Sequence, residues 1–142
     1  MNNIHATCIA LNNKGILLLG ASGGGKSDLA LRLIEQLGAA LVADDRTDLS
    51  VRQNRLIAAC PANLQNMLEV RGLGIIKLPS QAEAEVGLVV ELVSSPQAVE
   101  RLPLPEFWEY DNLKIKKIRL YPFEASAVFK IKLACDENLQ VG

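Results

Sequence analysis

A glycine-rich segment, residues 20–27, constrains the fold of this chain more than any other feature of its sequence. It fits the pattern G-x-x-x-x-G-K-[ST] at each fixed position. Glycines let consecutive backbone N–H groups surround phosphate oxygens without Cβ clashes, and the helix that follows points its positive end at the same anion. Lys26 can reach the β- and γ-phosphates of a nucleotide, and the Ser27 hydroxyl can bind Mg²⁺. The sequence therefore predicts a nucleotide-binding P-loop made of Gly20, Ala21, Ser22, Gly23, Gly24, Gly25, Lys26 and Ser27.

The residues on either side of this loop predict a strand before it and a helix after it. Residues 16–19 form a short apolar run that is typical of a buried strand. From Lys26 to Leu37 apolar residues recur at helical spacing, and Gly38 is a natural C-terminal stop. Residues 40–43 predict a further short strand. Strand, loop, helix and strand in succession predict an α/β protein.

Weaker patterns predict the remaining elements. Residues 6–11 read as an apolar strand, and residues 12–15 read as a turn. Residues 124–134 are ambiguous: a terminal helix would place Ala125, Val128, Phe129 and Lys132 on one side, but the β-branched and aromatic content weakens that interpretation. The other predictions are a hairpin of residues 49–52 and 55–59, a short helix over residues 62–68, strands over residues 86–93 and 113–120, and loops at Pro96 and residues 102–105.

Composition narrows the class of protein. A length of 142 residues suits one domain with a hydrophobic core. The net charge of −1 gives the whole chain no attraction to nucleic acid or to an anionic membrane. No run reaches the roughly 20 apolar residues that span a bilayer, and the first residues lack the pattern of a signal peptide. These features predict a cytoplasmic protein, with the basic run Lys114, Lys116, Lys117 and Arg119 interpreted as a solvated strand face.

The metal-binding residue types argue against a zinc site. Cys8, Cys60 and Cys135 are far apart, odd in number and in no CxxC pair, so we expect reduced and mostly buried thiols. His5 is the only histidine in the sequence, which argues against a histidine-based metal site.

Two acidic residues, Asp44 and Asp45, follow the strand predicted over residues 40–43. If that strand lies parallel beside the strand that leads into the P-loop, its carboxyl end lies near the phosphates. Adjacent strand residues point to opposite faces, so we expect at most one of the two to face the γ-phosphate. That residue would accept a hydroxyl proton or hold Mg²⁺. A turn in which either aspartate bonds to local backbone N–H groups is the alternative.

A second unusual segment, residues 69–76, reads Glu-Val-Arg-Gly-Leu-Gly-Ile-Ile. Its glycines predict a loop that lets backbone approach a ligand. Glu69 is a candidate metal ligand and Arg71 a candidate anion contact. A surface turn with a salt bridge is the alternative. Glu91, which ends the strand predicted over residues 86–93, ranks below Glu69 as a ligand.

Together these segments resemble the catalytic domain of the HPr kinase/phosphorylase family. The family pattern is a histidine, a G-x-S-G-x-G-K-S loop, V-A-D-D, and an E-[IV]-R-G-L-G-I-I signature. Here those pieces are His5, residues 20–27, residues 42–45 and residues 69–76, and the match beyond Ile76 is thin. The resemblance implies a mixed sheet with flanking helices, similar to the nucleotide-binding core of phosphoenolpyruvate carboxykinase. It implies a single catalytic domain over residues 1–142, without the family's N-terminal domain.

The resemblance also implies a reaction. Family members use ATP and Mg²⁺ to phosphorylate a serine of the phosphocarrier protein HPr, which regulates a phosphotransferase system. Some use pyrophosphate as donor, and phosphorolysis by inorganic phosphate reverses the reaction. The implied partner is an HPr-like phosphocarrier protein, and the resemblance leaves a homo-oligomer open.

The resemblance also implies roles for individual residues, which follow from their positions in the family motifs. Asp45 is implied as the proton acceptor, Lys26 as the group that holds the transferring phosphate, and His5 as an active-site residue. Ser27 and Glu69 are implied as Mg²⁺ ligands, Arg101 as a catalytic residue on its spacing from Glu91, and Asp44 as an additional acidic residue. The implied signature loop is Glu69, Val70, Arg71, Gly72, Leu73 and Gly74.

The chain departs from the family pattern in three places. Ala21 replaces the usual aspartate, residues 120–125 lack the basic and glycine residues of an R-P-G-R-N stretch, and residues 78–85 lack the family's glycine-containing flexible loop. These differences bear on phosphorolysis, oligomer formation and HPr docking, and they leave the kinase centre intact. We therefore expect a kinase with reduced or altered dephosphorylation, which efficient phosphate-driven release of pyrophosphate from phosphoserine HPr would contradict.

Two other functions stay open at the level of the sequence. A P-loop kinase of small molecules would need an acceptor pocket with a charged lid, and no clear lid motif is visible. A non-catalytic nucleotide sensor is favoured by Ala21 and by the missing C-terminal motif. The joint presence of Lys26, Asp45 and Glu69 argues against a sensor, which has less need of a base.

Overall fold

The computed structural model of the protein describes residues 2–62 and 67–136. Within them the helices are α1 (Lys26–Leu37) and α2 (Ala127–Cys135), with one 3₁₀ turn at Pro96–Ala98. None of these helices is long and apolar enough to cross a membrane. The strands are β1 (Asn2–His5), β2 (Thr7–Leu11), β3 (Lys14–Leu19), β4 (Ala40–Ala43), β5 (Arg46–Arg52), β6 (Arg55–Ala59), β7 (Met67–Val70), β8 (Gly74–Lys77), β9 (Glu83–Leu92), β10 (Glu106–Tyr110) and β11 (Leu113–Leu120).

Strand β9 is the centre of a mixed sheet with the order β1-β5-β6-β9-β3-β2-β4. Along one edge β9 pairs in parallel with β3, and Leu17 lies opposite Val89. Since that edge is occupied, the other edge of β9 holds both remaining partners. The first part of β9 pairs antiparallel with β6, and the last part pairs in parallel with β11, which continues to β10. The sheet is therefore mixed and branches at β9.

A bulge at Gly87 lets β9 serve two hydrophobic cores. Gly15 lies opposite Val86 and Ile16 lies opposite Leu88, so Gly87 is an extra residue in β9. A Cβ atom on Gly87 would lie 2.7 Å from Cγ of Lys14, so a larger residue would have to displace that side chain. Because the bulge shifts the alternation, Val86 and Leu88 pack into different cores although they are two residues apart.

The sheet has a buried face on each side. The helix-side core lies between the sheet and the two helices, and it contains Leu18, Leu33 and Ile131. The far-side core joins the curled parts of the sheet, and it contains Leu17 and Leu49. Neighbouring residues of β3 enter different cores, which is the burial on both faces that the apolar run at residues 16–19 predicts.

The predicted adjacency of the P-loop strand and β4 is wrong in one respect. Asn12 and Asn13 adopt positive φ angles of 50° and 66° and make a tight β2–β3 hairpin, so β2 occupies the edge of β3. β4 pairs antiparallel with β2, not directly with β3. Because two antiparallel steps restore the direction, β4 still runs parallel to β3. Its carboxyl end therefore reaches the same edge of the sheet as the P-loop.

Several local predictions are confirmed. Helix α1 spans Lys26–Leu37, and Gly38 caps it with φ 71° and a backbone N–H that donates to the Ile34 carbonyl at 3.1 Å. Strands β4 and β11 have the predicted bounds. The hairpin of β5 and β6 turns at Gln53 and Asn54, which both have positive φ. The terminal helix forms as α2.

Other local predictions are wrong. Residues 69–76 do not form a loop, because β7 and β8 pair as a hairpin that turns near Gly72, with φ 91°. In the helix predicted over residues 62–68, Met67 and Leu68 belong to β7, and residues 63–66 lie outside the described part. Helix α2 buries Ala127, Val128, Ile131 and Ala134, and exposes Phe129 and Lys132, because packing on the sheet selects a different face from the predicted one. Strands β1 and β10 were not predicted.

The β7–β8 hairpin depends on one buried side chain. Leu68 is 1% exposed in the helix-side core, whereas Ile75 on the partner strand is 69% exposed. We expect Leu68→Ala to lower the free energy of unfolding by about 2–5 kcal/mol, as usual for a buried leucine. Ile75→Ala, a control of equal size in the same hairpin, should change it by no more than about 0.5 kcal/mol. Urea denaturation measures both, and equal losses would contradict the packing of the hairpin on α1.

Candidate active site

The P-loop turns sharply between β3 and α1. Gly23 and Gly25 have φ angles of 75° and 99°, in the left-handed region that favours glycine. The Gly24 backbone N–H donates to the Ala21 carbonyl at 2.9 Å, and a Cβ atom on Gly24 would lie 2.7 Å from that oxygen. Ser22 lies exposed in the same turn. The close approach of backbone to backbone explains the run of three glycines.

Lys26 is folded back onto the loop from which it comes. Its Nζ donates to the carbonyls of Gly20 at 2.7 Å and Ala21 at 2.9 Å, and the residue is only 6% exposed. Burial lowers the pKa of Lys26 below its ordinary value, while the carboxylates of Asp45 and Asp44 oppose that shift. The lysine is therefore close enough to both aspartates to feel their charge. Ala21 contributes its backbone carbonyl, and an aspartate at this position would offer the same group.

Ser27, the last residue of the loop, is bonded to Asp44. Its Oγ donates to Oδ1 of Asp44 at 2.8 Å, and the buried Thr7 hydroxyl donates to the same oxygen at 3.0 Å. Thr7 begins β2, Ser27 lies in the first turn of α1, and Asp44 follows β4. Three elements thus converge on one carboxylate oxygen. The role of Thr7 was not predicted, because a threonine in an apolar strand carries no signal in the sequence.

Asp45 points to a different partner. It adopts a φ of 66° in the turn between β4 and β5, and its Oδ1 lies 2.8 Å from Nε2 of His5. The carboxylate accepts this hydrogen bond, so Nε2 is the protonated ring nitrogen. Pairing of β1 with β5 places His5 opposite Arg46 and so brings the histidine to the turn. As expected for adjacent residues, the two aspartates divide between different partners, and the side chain of Asp45 is 68% exposed.

Ser27 and Asp44 bring two oxygen atoms that could bind a metal ion together at the P-loop. Mg²⁺ usually binds one or two protein carboxylates and completes its shell with phosphate oxygens and water, so this pair fits that ion. Among the described residues no group of three or more His, Cys, Asp or Glu residues could hold a metal ion. A site with few protein ligands is thus the arrangement that these side chains support.

Glu69 lies on β7 and Arg71 lies in the turn of the β7–β8 hairpin. Leu68 faces the helix-side core, so Glu69 points to the opposite, exposed side of β7. In the described part of the chain no hydrogen bond or ion pair joins Glu69 to Ser27 or Asp44. Arg71 and Leu73 are exposed at the turn of the hairpin. The signature residues are therefore exposed on the hairpin and carry no direct bond to the Ser27–Asp44 pair among the described residues.

Arg101 lines an open cleft near the same edge of the sheet. The cleft has a volume of about 340 Å³ and lies between the segment after β9 and the turn that precedes α2. Since β9 ends beside the P-loop, this segment starts at the same end of the sheet as that loop. The residues that line the cleft are Pro96, Val99, Glu100, Arg101, Tyr121, Glu124 and Lys130.

Glu91 is engaged by basic residues of β11. It lies opposite Leu19, one residue before the P-loop, and its carboxylate lies 3.1 Å from Nη1 of Arg119 and 3.4 Å from Nζ of Lys117. Glu106 accepts two hydrogen bonds from Arg119, which lowers the pKa of Glu106. The interpretation of the basic run in β11 as a solvated strand face therefore holds only in part. Lys117 is mostly buried among these carboxylates, and Lys116 bonds to the Ala134 carbonyl.

The turn after β11 contacts the P-loop, which the sequence did not predict. A Cβ atom on Gly25 would lie 3.0 Å from the Phe123 ring and 3.2 Å from Pro122. Arg32 of α1 donates to the Pro122 carbonyl and, at 3.1 Å, to Asp28. The turn is therefore attached both to the loop and to the helix that follows it.

Alanine substitutions at two glycines of the loop, Gly23 and Gly25, distinguish the cost of backbone strain from the cost of steric contact. Both have positive φ, but nothing lies within 4 Å of a Cβ atom on Gly23, whereas one on Gly25 meets Phe123 and Pro122. We expect Gly23→Ala to lower the free energy of unfolding by about 1–2 kcal/mol, the cost of the left-handed conformation. Gly25→Ala should add about 1–3 kcal/mol of overpacking.

Chemical denaturation of the ligand-free protein gives both values. Equal losses for the two variants would show that the Phe123 turn does not pack on the loop in solution.

The chain is similar to known proteins over most of its length. A family model described as the HPr Serine kinase C-terminal domain matches residues 1–131. An HPr kinase/phosphorylase of Lactobacillus acidophilus is 35% identical over 130 residues, which are 84% of this chain and 40% of that protein. One of Bordetella pertussis is 38% identical over 128 residues, 82% of this chain and 41% of that protein. The chain thus spans about two fifths of the length of these curated relatives.

A solved structure supports the same relationship. The Hpr(Ser) kinase/phosphatase from Coxiella burnetii superposes with a TM-score of 0.83 at 28% identity, covering 96% of this chain and 90% of that one. The agreement extends across the branched sheet and both helices, because it covers nearly the whole of each chain. The P-loop, the paired aspartates and these similarities together show that the chain belongs to the HPr serine kinase C-terminal domain family.

Proposed function

We propose that this chain is an ATP-dependent protein-serine kinase that acts on an HPr-like phosphocarrier protein and so regulates a phosphotransferase system in the cytoplasm. Family membership supports the reaction class, and the curated relatives are named HPr kinase/phosphorylase. The observation that carries the proposal is the convergence of three groups at one edge of the sheet. These are the P-loop lysine, the Ser27–Asp44 pair and the His5–Asp45 pair.

In this proposal the P-loop holds the transferring phosphate. The backbone N–H groups of the loop and the start of α1 favour an anion, and Lys26 neutralises the β- and γ-phosphates once it leaves the carbonyls of Gly20 and Ala21. Ser27 and Asp44 would hold Mg²⁺, which neutralises charge on the phosphates when it is bound. Asp44 thereby takes the metal role that the sequence left open for one of the two adjacent aspartates.

Asp45 is proposed as the general base. Its carboxylate is exposed and held by His5, and its charge acts on Lys26, so it can take the proton of an incoming serine hydroxyl. His5 acts as a positioning residue, because its Nε2–H group fixes the orientation of the carboxylate. In the reverse direction the same carboxyl group would return the proton.

Glu69 and Arg101 are proposed as further contributors on the basis of the family motif. Glu69 would act from the exposed side of the hairpin as a metal ligand, and Arg101 from the wall of the cleft as a phosphate contact. Asp44 ranks above Glu69 as a ligand, because Asp44 is the carboxylate bonded to Ser27. Pyrophosphate as donor and phosphorolysis by inorganic phosphate are the additional reactions that this centre would support.

Transfer of label to HPr tests the proposal directly. With γ-labelled ATP and Mg²⁺, we expect label on HPr and none on HPr whose target serine is replaced by alanine. Label on neither protein, with ATP still bound, would contradict the proposed acceptor and favour a nucleotide sensor.

The variant Asp45→Asn tests the catalytic role of the Asp45 carboxylate without disturbing the fold. Asparagine tolerates the left-handed backbone at this position, so we expect the variant to fold and to bind Mg²⁺–ATP, while transfer falls by about 10²–10⁴-fold. Asp111→Asn is a matched control, because Asp111 is exposed with φ 45° in the β10–β11 turn, at the opposite end of the sheet. Transfer that survives in Asp45→Asn would contradict the role of this carboxylate.

A further inference from the structure

An aromatic ring, Phe123, lies at the rim of the P-loop where the loop joins α1. Its Cζ and Cε1 atoms lie 3.0 Å and 3.1 Å from the position of a Cβ atom on Gly25. Even so, 57% of the residue is exposed. One edge of the ring therefore touches the loop, while much of its surface faces solvent.

The ring is held in place by its neighbours. Arg32 donates to the carbonyl of Pro122, and the Val93 backbone N–H donates to the Leu120 carbonyl at 2.9 Å. Tyr121 packs edge-on against Phe123, with ring centroids 5.7 Å apart and planes at 76°. An apolar surface that is fixed before a ligand arrives loses little conformational freedom on binding.

The position of the ring matches the path of a nucleoside. If the β- and γ-phosphates lie at Lys26 and Ser27, the remainder of a nucleotide must leave the loop across its rim. The cleft of about 340 Å³ opens beside the same turn, because Tyr121 and Glu124 on either side of Phe123 line it. The exposed part of Phe123, 57% of the residue, leaves room for a ring system to stack on it.

We propose that Phe123 is the stacking platform for the purine base of the nucleotide donor. The proposal rests on the proposed use of ATP and adds the part of the protein that recognises the nucleoside. Stacking on an aromatic face depends weakly on the identity of the base. The platform should thus distinguish nucleotides from inorganic polyphosphates more strongly than it distinguishes one purine from another.

Calorimetric titration with Mg²⁺–ATP and with Mg²⁺–tripolyphosphate tests the platform, because tripolyphosphate keeps the phosphate chain and lacks the base. We expect the protein to bind ATP more tightly than tripolyphosphate. Phe123→Ala should weaken ATP binding roughly tenfold, a typical effect of losing one stacked base. Tripolyphosphate binding should change less than about twofold, and Phe123→Trp should retain ATP binding.

Phe129→Ala is the matched control, since Phe129 is a second phenylalanine with 52% exposure on α2. It should leave binding of both ligands unchanged. An equal loss for ATP and tripolyphosphate in Phe123→Ala would show that the ring only supports the loop, and would overturn the platform. Unchanged ATP binding would overturn it as well.

The two proposals fail in different ways. If the unmodified protein binds tripolyphosphate as tightly as ATP, the platform is wrong while the phosphate site stands. If it binds neither ligand, the proposed kinase function itself fails and the platform with it.

Discussion

The hydrogen bond from Ser27 to Asp44 ties the P-loop to the sheet edge on which the site is built. It joins the first turn of α1, which follows β3 and the P-loop, to the residue that follows β4, although β2 separates β3 from β4 in the sheet. Thr7 at the start of β2 bonds to the same carboxylate oxygen and bridges that separation. Since β2 runs antiparallel to both neighbours, its start meets the ends of β3 and β4. The insertion of β2 therefore supplies a second hydrogen bond to the carboxylate.

The turn after β4 assigns different partners to the two aspartates. Asp44 stays within the cluster around Ser27, while the positive φ of Asp45 turns its carboxylate toward His5 on β1. The Asp45 carbonyl also accepts a hydrogen bond from the Ala6 N–H at 3.0 Å, and the Asp45 N–H donates to Thr7 Oγ1 at 3.3 Å. Backbone and side-chain bonds together fix the turn. Two adjacent carboxylates with separate surroundings can thus serve separate roles beside one lysine.

Sequence reasoning succeeded where the determinants are local. Helix α1, its Gly38 cap and the P-loop follow from spacing and glycine chemistry within about twenty residues. It failed where strand pairing decides, as in the β7–β8 hairpin, whose glycines allow a turn between strands as readily as a ligand-binding loop. The different hydrogen-bond partners of Asp44 and Asp45 depend on the pairing of β1 with β5. That pairing brings His5 to Asp45, which lies 40 residues later in the sequence. The attachment of Pro122 to Arg32 spans 90 residues and leaves no pattern in either segment.

The polar side chains around the P-loop are bonded to one another and to the loop backbone. Lys26 is bonded to two loop carbonyls, and Ser27 is bonded to Asp44. A ligand must therefore exchange these bonds for new ones, and an exchange of comparable hydrogen bonds yields little net free energy. A phosphate alone would release Lys26 but leave the Ser27–Asp44 bond in place, and a cation alone would do the reverse. Each ligand must therefore offset its own set of internal bonds, so that different side chains limit the affinity for phosphate and the affinity for a cation.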